Sequence, residues 1–149
     1  MQFTIPEPLK IEHDELHQEL AKATKAGGHV GEAAQTVARL LHPHFVQEEE
    51  FALPPLALLK LLAEGRLAPD MAEVLAMTDR LKTELPHMLA EHEAIVAALD
   101  RLVEAASEDG RPEVARFAEK LILHARTEED VLYPTALLIG EYVKLKLGN

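Results

Sequence analysis

No cysteine occurs in the chain of 149 residues. Disulfide scaffolds, thiolate-held iron–sulfur clusters and Cys-type zinc sites are therefore excluded. Tryptophan is absent too, and aromatic residues make up only 4%. That is little for the β-branched and aromatic faces of a β-sandwich. Positive charge is scarce: 15 Lys and Arg stand against 26 Asp and Glu, a formal net charge of −11. Without a basic cluster, nucleic acid and anionic membrane surfaces are not expected partners. No run of eighteen apolar residues exists, so no transmembrane helix is expected. The opening MQFTIPEPLK has no basic segment leading into an apolar one, so no signal peptide is expected. A soluble, cytoplasmic protein is the resulting expectation.

What is present is Leu, Ala and Val within a hydrophobic content of 48%, beside 28% charged residues. This balance favours helices over strands, and the length suits one domain spanning 1–149. Ile11, Leu16 and Leu20 fall near one helical stripe, and the glycines of AGGHVG (26–31) predict its stop. A second helix is expected from about Glu32 to Pro54 and Pro55, with a kink or restart at Pro43. A short helix and turn follow, then a long helical stretch from about Pro69 to Ala106, kinked at Pro86. SEDGRP (107–112) reads as a turn with proline at a helix start. A fourth helix runs from about Glu113 to Pro134, and TALLIGEYVKLKL (135–147) reads as a short tail helix. The expected fold class is all-α: an antiparallel up-down four-helix bundle with short accessory helices. An apolar face on the tail helix would suit a redox partner or self-association into a homo-oligomer.

Eight histidines are the compositional oddity. His44 has Glu48 four residues on, and His124 has Glu128 four residues on. These two motifs lie 80 residues apart, and the same offset aligns Pro54 with Pro134. Upstream of each motif stands a Glu-His pair, Glu12–His13 and Glu91–His92, 79 residues apart. The chain thus repeats a helix bearing Glu-His followed by a helix bearing His-x-x-x-Glu. Residues four apart share a helix face about 5–6 Å apart, so each His-Glu pair can reach one metal centre. With 26 acids in the chain, a lone pair of this kind is ordinarily a solvated surface pair. Recurrence within a repeat argues instead for four imidazoles and two carboxylates directed at two metal ions. Neutral imidazole with carboxylate suits iron, manganese or zinc, whereas calcium prefers oxygen alone.

The remaining histidines are less sharply marked. His17 lies one turn after His13 and is a candidate fifth imidazole, but its repeat counterpart is Val96. His87 competes with His92 for the third helix, beside Pro86. His42 is expected to be exposed or to support the site, and His29 to face solvent. Glu49, Glu50, Glu129 and Asp130 read as a solvated face, with one of each pair a candidate support for a ligand. Tyr133 is within reach as a hydrogen-bond donor, although packing is its expected role. Met71, Met77 and Met88 suit core filling.

These motifs, together with the EDVLYP run after Glu128, carry a resemblance to the hemerythrin-like, or HHE cation-binding, family over nearly the whole chain. The resemblance implies a four-helix bundle around two non-haem iron ions, oxo- or hydroxo-bridged, with zinc or manganese as alternatives. His13, His44, His92 and His124 would be terminal ligands, and Glu48 and Glu128 would bridge. Oxygen-carrying hemerythrins place two histidines four apart on the third helix, whereas Val96 follows His92 here. This departure points away from oxygen storage toward redox chemistry on O2, peroxide or NO. An oxygen sensor or iron-handling module without turnover is the alternative.

Overall fold

The computed structural model describes residues 1–148. The described residues form helices and no strand. Helix α1 is Glu7–Thr24, α2 Gly28–Gln47, α3 Leu59–Ala63, α4 Leu75–Glu108, α5 Pro112–Thr127 and α6 Tyr133–Leu147. Helices α1, α2, α4 and α5 pack around a shared interior, α1 on α2 and α5, and α4 on α2 and α5. Helix α6 lies against α4.

Several boundaries differ from expectation. Helix α1 ends at Thr24, before the glycines, and Gly27 at φ 76° serves as the N-cap of α2. Helix α2 therefore starts at Gly28 rather than Glu32, and His29 sits in its first turn, exposed. Pro43 causes no restart, and α4 likewise runs unbroken through Pro86. Both prolines are on the solvent side, as are Arg39 and Lys82 four residues earlier, where water can take the carbonyls they free. The stretch from Pro69 to Val74 is a 3-10 turn, and α-helix begins only at Leu75.

Two wider turns stand where the sequence suggested plain helix. Glu48–Ala52 and Glu128–Leu132 are π-helical, and the Leu53 N–H donates to the Glu48 carbonyl five residues back, at 2.9 Å. Pro54 and Pro134 explain their recurrence. A proline ring crowds the carbonyl four residues back in an α-helix, and a wider turn relieves the crowding. Helical structure consequently continues past Pro134 into α6 instead of stopping there.

The interior divides into two apolar clusters. One joins Leu16, Leu20, Val37, Leu41, Leu99 and Leu121 of the four packed helices. The other joins Phe51, Leu53, Met71, Leu81, Met88 and Ile139, with Met77 packed against it. Helix α4 contributes to both, and His92 lies between its two contributions, buried.

Candidate metal centre

Buried polar groups are concentrated between these clusters. His13, His44, Glu48, His92, His124 and Glu128 are all buried, and with Thr78 they are the buried polar residues among those described. Two groups have ligand atoms within 4.8 Å of one another: His44, Glu48, His92 and Glu128, and His13, His124 and Glu128. Glu128 belongs to both. Its Oε2 lies 3.2 Å from His124 Nε2 and 3.5 Å from His13 Nε2, while Oε1 lies 3.3 Å from His92 Nε2. Glu48 Oε1 lies 3.6 Å from His44 Nε2 and 3.9 Å from His13 Nε2. Neither His17 nor His87 joins either group. His17 stands outside Phe45, edge-on to the exposed His42, while Phe45 stacks on His13 at 4.1 Å between centroids. His87 is exposed and reaches Glu91 at 3.6 Å.

Each of the four buried imidazoles turns its outer nitrogen to a carboxylate. His13 Nδ1 meets Glu49 at 3.3 Å, His44 Nδ1 meets Glu91 at 3.1 Å, His92 Nδ1 meets Glu129 at 2.9 Å, and His124 Nδ1 meets Glu12. The pattern follows the repeat: Glu49 and Glu129 each follow a buried glutamate, and Glu12 and Glu91 each precede a buried histidine. Of each acidic pair, Glu49 and Glu129 are thus the members that support a candidate ligand, half-buried against His13 and His92. Glu50 and Asp130 are exposed, and Glu50 pairs with Arg80 at 3.0 Å. An ionised carboxylate only accepts, so Nδ1 carries the proton and a neutral ring offers the lone pair of Nε2 to the centre.

Those inward lone pairs lack protons to satisfy them. His44 and His92 bring their Nε2 atoms to 2.7 Å. His13 Nε2, His124 Nε2, Glu48 Oε1 and Glu128 Oε2 are buried with no hydrogen-bond partner. Leaving such groups unpaired costs about 1–3 kcal/mol each, and a cation bound among them removes that cost. The donor set of imidazole and carboxylate fits a transition metal, so the residues present fit the group that the sequence motifs imply.

The electrostatics are those of crowded buried charge. Burial, and then the Glu128 carboxylate, push Glu48 well above the usual carboxylate range. Burial opposes charge on Glu128 as well, but the close approach of Glu48, His124, His13 and His92 holds it well below that range. Burial also lowers His44, with His92 adding to the effect. Burial disfavours charge on His92 and His124 too, but the Glu128 carboxylate, together with Glu129 at His92 and Glu12 at His124, outweighs it and raises both. Tyr133, expected to serve in packing, donates its hydroxyl to Glu48 Oε2 at 2.6 Å. Burial and the two carboxylates raise its ionisation far above the ordinary range.

Space at the centre is small. A void of about 10 Å³ is lined by His44, His92, His124 and Glu128 with Leu41, Phe45 and Ile95 among its walls. A wider groove of about 450 Å³, lined by Lys22, Arg111, Arg116 and Phe117, touches none of the six residues.

The fold and this centre define the class: an all-helical protein with a buried His/Glu cluster suited to metal binding. The family model of the Hemerythrin HHE cation binding domain matches residues 4–136, a span that includes all six residues, and the chain belongs to that family. No curated protein and no solved structure matches the chain. No helix is long and apolar enough to cross a membrane.

Proposed function

We propose that this protein is a non-haem di-iron protein that binds O2, peroxide or NO at a carboxylate-bridged centre, in redox or oxidative and nitrosative stress chemistry. The observation that carries the reading is two buried donor groups sharing Glu128, with four of their atoms left without a partner. In this reading His44 and His92 would hold one iron and His13 and His124 the other, with Glu48 and Glu128 as the carboxylates they would share. When bound, a ferrous pair supplies two electrons to a small ligand. The chain's own residues do the rest. Glu12, Glu49, Glu91 and Glu129 hold the imidazole protons outward and so aim each Nε2 inward. Phe45, Leu41 and Ile95 exclude water, and the void, on the scale of one water molecule, favours ligands of two heavy atoms over organic substrates.

The proposal extends to the architecture. We take α1, α2, α4 and α5 as an antiparallel up-down bundle forming a single domain over 1–149. Contacts that run in opposite order along paired helices support this. His44 meets Glu91 while Glu50 meets Arg80, and His124 meets Glu12 while Lys120 meets Glu19. A cytoplasmic setting belongs to the same reading, since a reducing compartment keeps iron ferrous.

A second reading, a sensor or iron-handling module without turnover, draws on α6. Leu138, Tyr142 and Leu145 are exposed on that helix, which begins at Tyr133 inside the centre. A change at the metals could there reach a surface fit for a protein partner.

Metal analysis of the purified protein, with optical spectra before and after reduction and exposure to air, tests the first reading. Two irons per chain and ferric charge-transfer bands that bleach on reduction are expected. Stoichiometric zinc with a featureless spectrum would overturn it.

A further inference from the structure

The repeat makes the centre nearly two-fold, so departures from it stand out. His13 corresponds to His92, His44 to His124, Glu48 to Glu128 and Glu49 to Glu129. Glu12 corresponds to Glu91, and the contact of Glu91 with His44 has its counterpart in that of Glu12 with His124. At the offset of 80, however, Tyr133 corresponds to Leu53, a side chain that can bind nothing. One half of the centre therefore holds an oxygen donor that the other half lacks.

That oxygen is placed like a ligand. Tyr133 Oη lies 2.6 Å from Glu48 Oε2, 3.2 Å from His92 Nε2 and 3.3 Å from His44 Nε2, and the two nitrogens are 2.7 Å apart. Neighbouring ligands on a six-coordinate ion with ~2.1 Å bonds lie about 3 Å from one another. A phenol has a single proton, and here Glu48 takes it. With Glu91 and Glu129 fixing the protons of His44 and His92 on Nδ1, both Nε2 atoms face Tyr133 Oη with lone pairs alone. Hydrogen bonding thus accounts for one of the three approaches. A shared cation accounts for all three.

We propose that Tyr133 is a protein ligand of the metal held by His44 and His92, binding as phenolate and releasing its proton on metal uptake. The metal held by His13 and His124, opposite Leu53 in the repeat, keeps the open position. Incoming small ligands are thereby directed to one metal of the pair. The inference rests on the metal-centre reading above, and the test separates the two.

The chain has two tyrosines, and Tyr142 is on the outer face of α6, 37% exposed, which makes the assignment clean. The protein is loaded with ferrous iron, oxidised in air, and examined by visible absorption and resonance Raman with natural and ring-deuterated tyrosine. The expected result is a phenolate-to-ferric band with ring modes that shift on deuteration, kept in Tyr142→Phe and lost in Tyr133→Phe. In parallel, the metal-free protein is titrated with zinc at neutral pH and followed by the ultraviolet difference spectrum of ionised tyrosine. A difference signal in the wild type and none in Tyr133→Phe supports ligation whatever the native metal. Two irons per chain with no phenolate signature would overturn the role of Tyr133 and leave the di-iron reading standing. A zinc-induced tyrosinate signal in a protein that takes up no iron would support Tyr133 and remove the di-iron reading. A protein that binds neither metal overturns both.

Discussion

At the residue scale, the centre rests on a division of labour between adjacent side chains. Glu48 and Glu128 are buried among imidazoles, while Glu49 and Glu129, one residue on, lean outward against His13 and His92. Replacing His44 and His124 together by alanine removes one proposed imidazole from each metal. Iron binding is expected to be lost, and retention of two irons per chain in that double variant would refute the ligand assignment. The outward carboxylates give a graded test. Glu91→Ala and Glu49→Ala each leave an imidazole proton without its acceptor, and a 10–100-fold loss of metal affinity is expected. Glu50→Ala, which removes only an exposed partner of Arg80, should leave affinity unchanged in the same competition titration with a chromophoric chelator. Equal losses for Glu50 and Glu49 would mean that general charge, not imidazole orientation, sets the affinity. In the sequence, the six inward residues were legible from spacing and repetition. The outward four were only partly so, because a run such as Glu48-Glu49-Glu50 does not say which of its members faces in.

At the element scale, the packing of α6 on α4 depends on one close approach. A β-carbon added at Gly140 would lie 2.4 Å from Thr78 Oγ1 and 2.6 Å from Thr78 Cβ. Thr78 is buried and β-branched, so its side chain has little freedom to move away. Glycine to alanine in a helix ordinarily gains up to about 1 kcal/mol, but overpacking a tight contact costs about 1–3 kcal/mol. The overpacking term wins here. Gly140→Ala is expected to lower unfolding stability in urea, and Thr78→Ala in the same chain to recover only part of the loss, because the β-carbon of residue 78, 2.6 Å from the added one, remains. A stabilised Gly140→Ala protein would show that α6 moves freely on α4. The two π turns are the other finding at this scale. Hydrophobic periodicity is too coarse to register one extra residue in a helix. The signal that was available is the recurrence of proline six residues after each buried glutamate, at Pro54 and Pro134. Those prolines read as stops, yet the structure absorbs them by widening the preceding turn and carrying the chain on into the next helical segment.

At the scale of the whole molecule, the centre lies between two apolar clusters, with Phe45 in one and Tyr133 in the other. Metal binding is therefore expected to stabilise a fold that already exists, rather than to create it. Chelation should leave the far-ultraviolet circular dichroism nearly unchanged, because both clusters and the helices they join remain. With two metals bound per chain, the melting temperature should fall by about 10–20 °C relative to protein with free metal at a hundredfold its dissociation constant. Loss of helical signal on chelation would instead place this chain with domains that fold only around their metal. The same layout confines polar cost to one place: the four unpartnered atoms belong to the two donor groups where bound cations would satisfy them.

The sequence by itself determined that this chain is helical, that it repeats, and that four histidines and two glutamates recur in register. Those properties are local or periodic, and a helix expresses them wherever it packs. Only the tertiary structure decided which carboxylate faces which imidazole, that His17 and His87 fall outside the cluster, and that Tyr133 stands inside it. These depend on how α1, α2, α4 and α5 are rotated against one another and on the π turns that reset the face after Glu48 and Glu128. Spacing along one helix cannot report a distance between two.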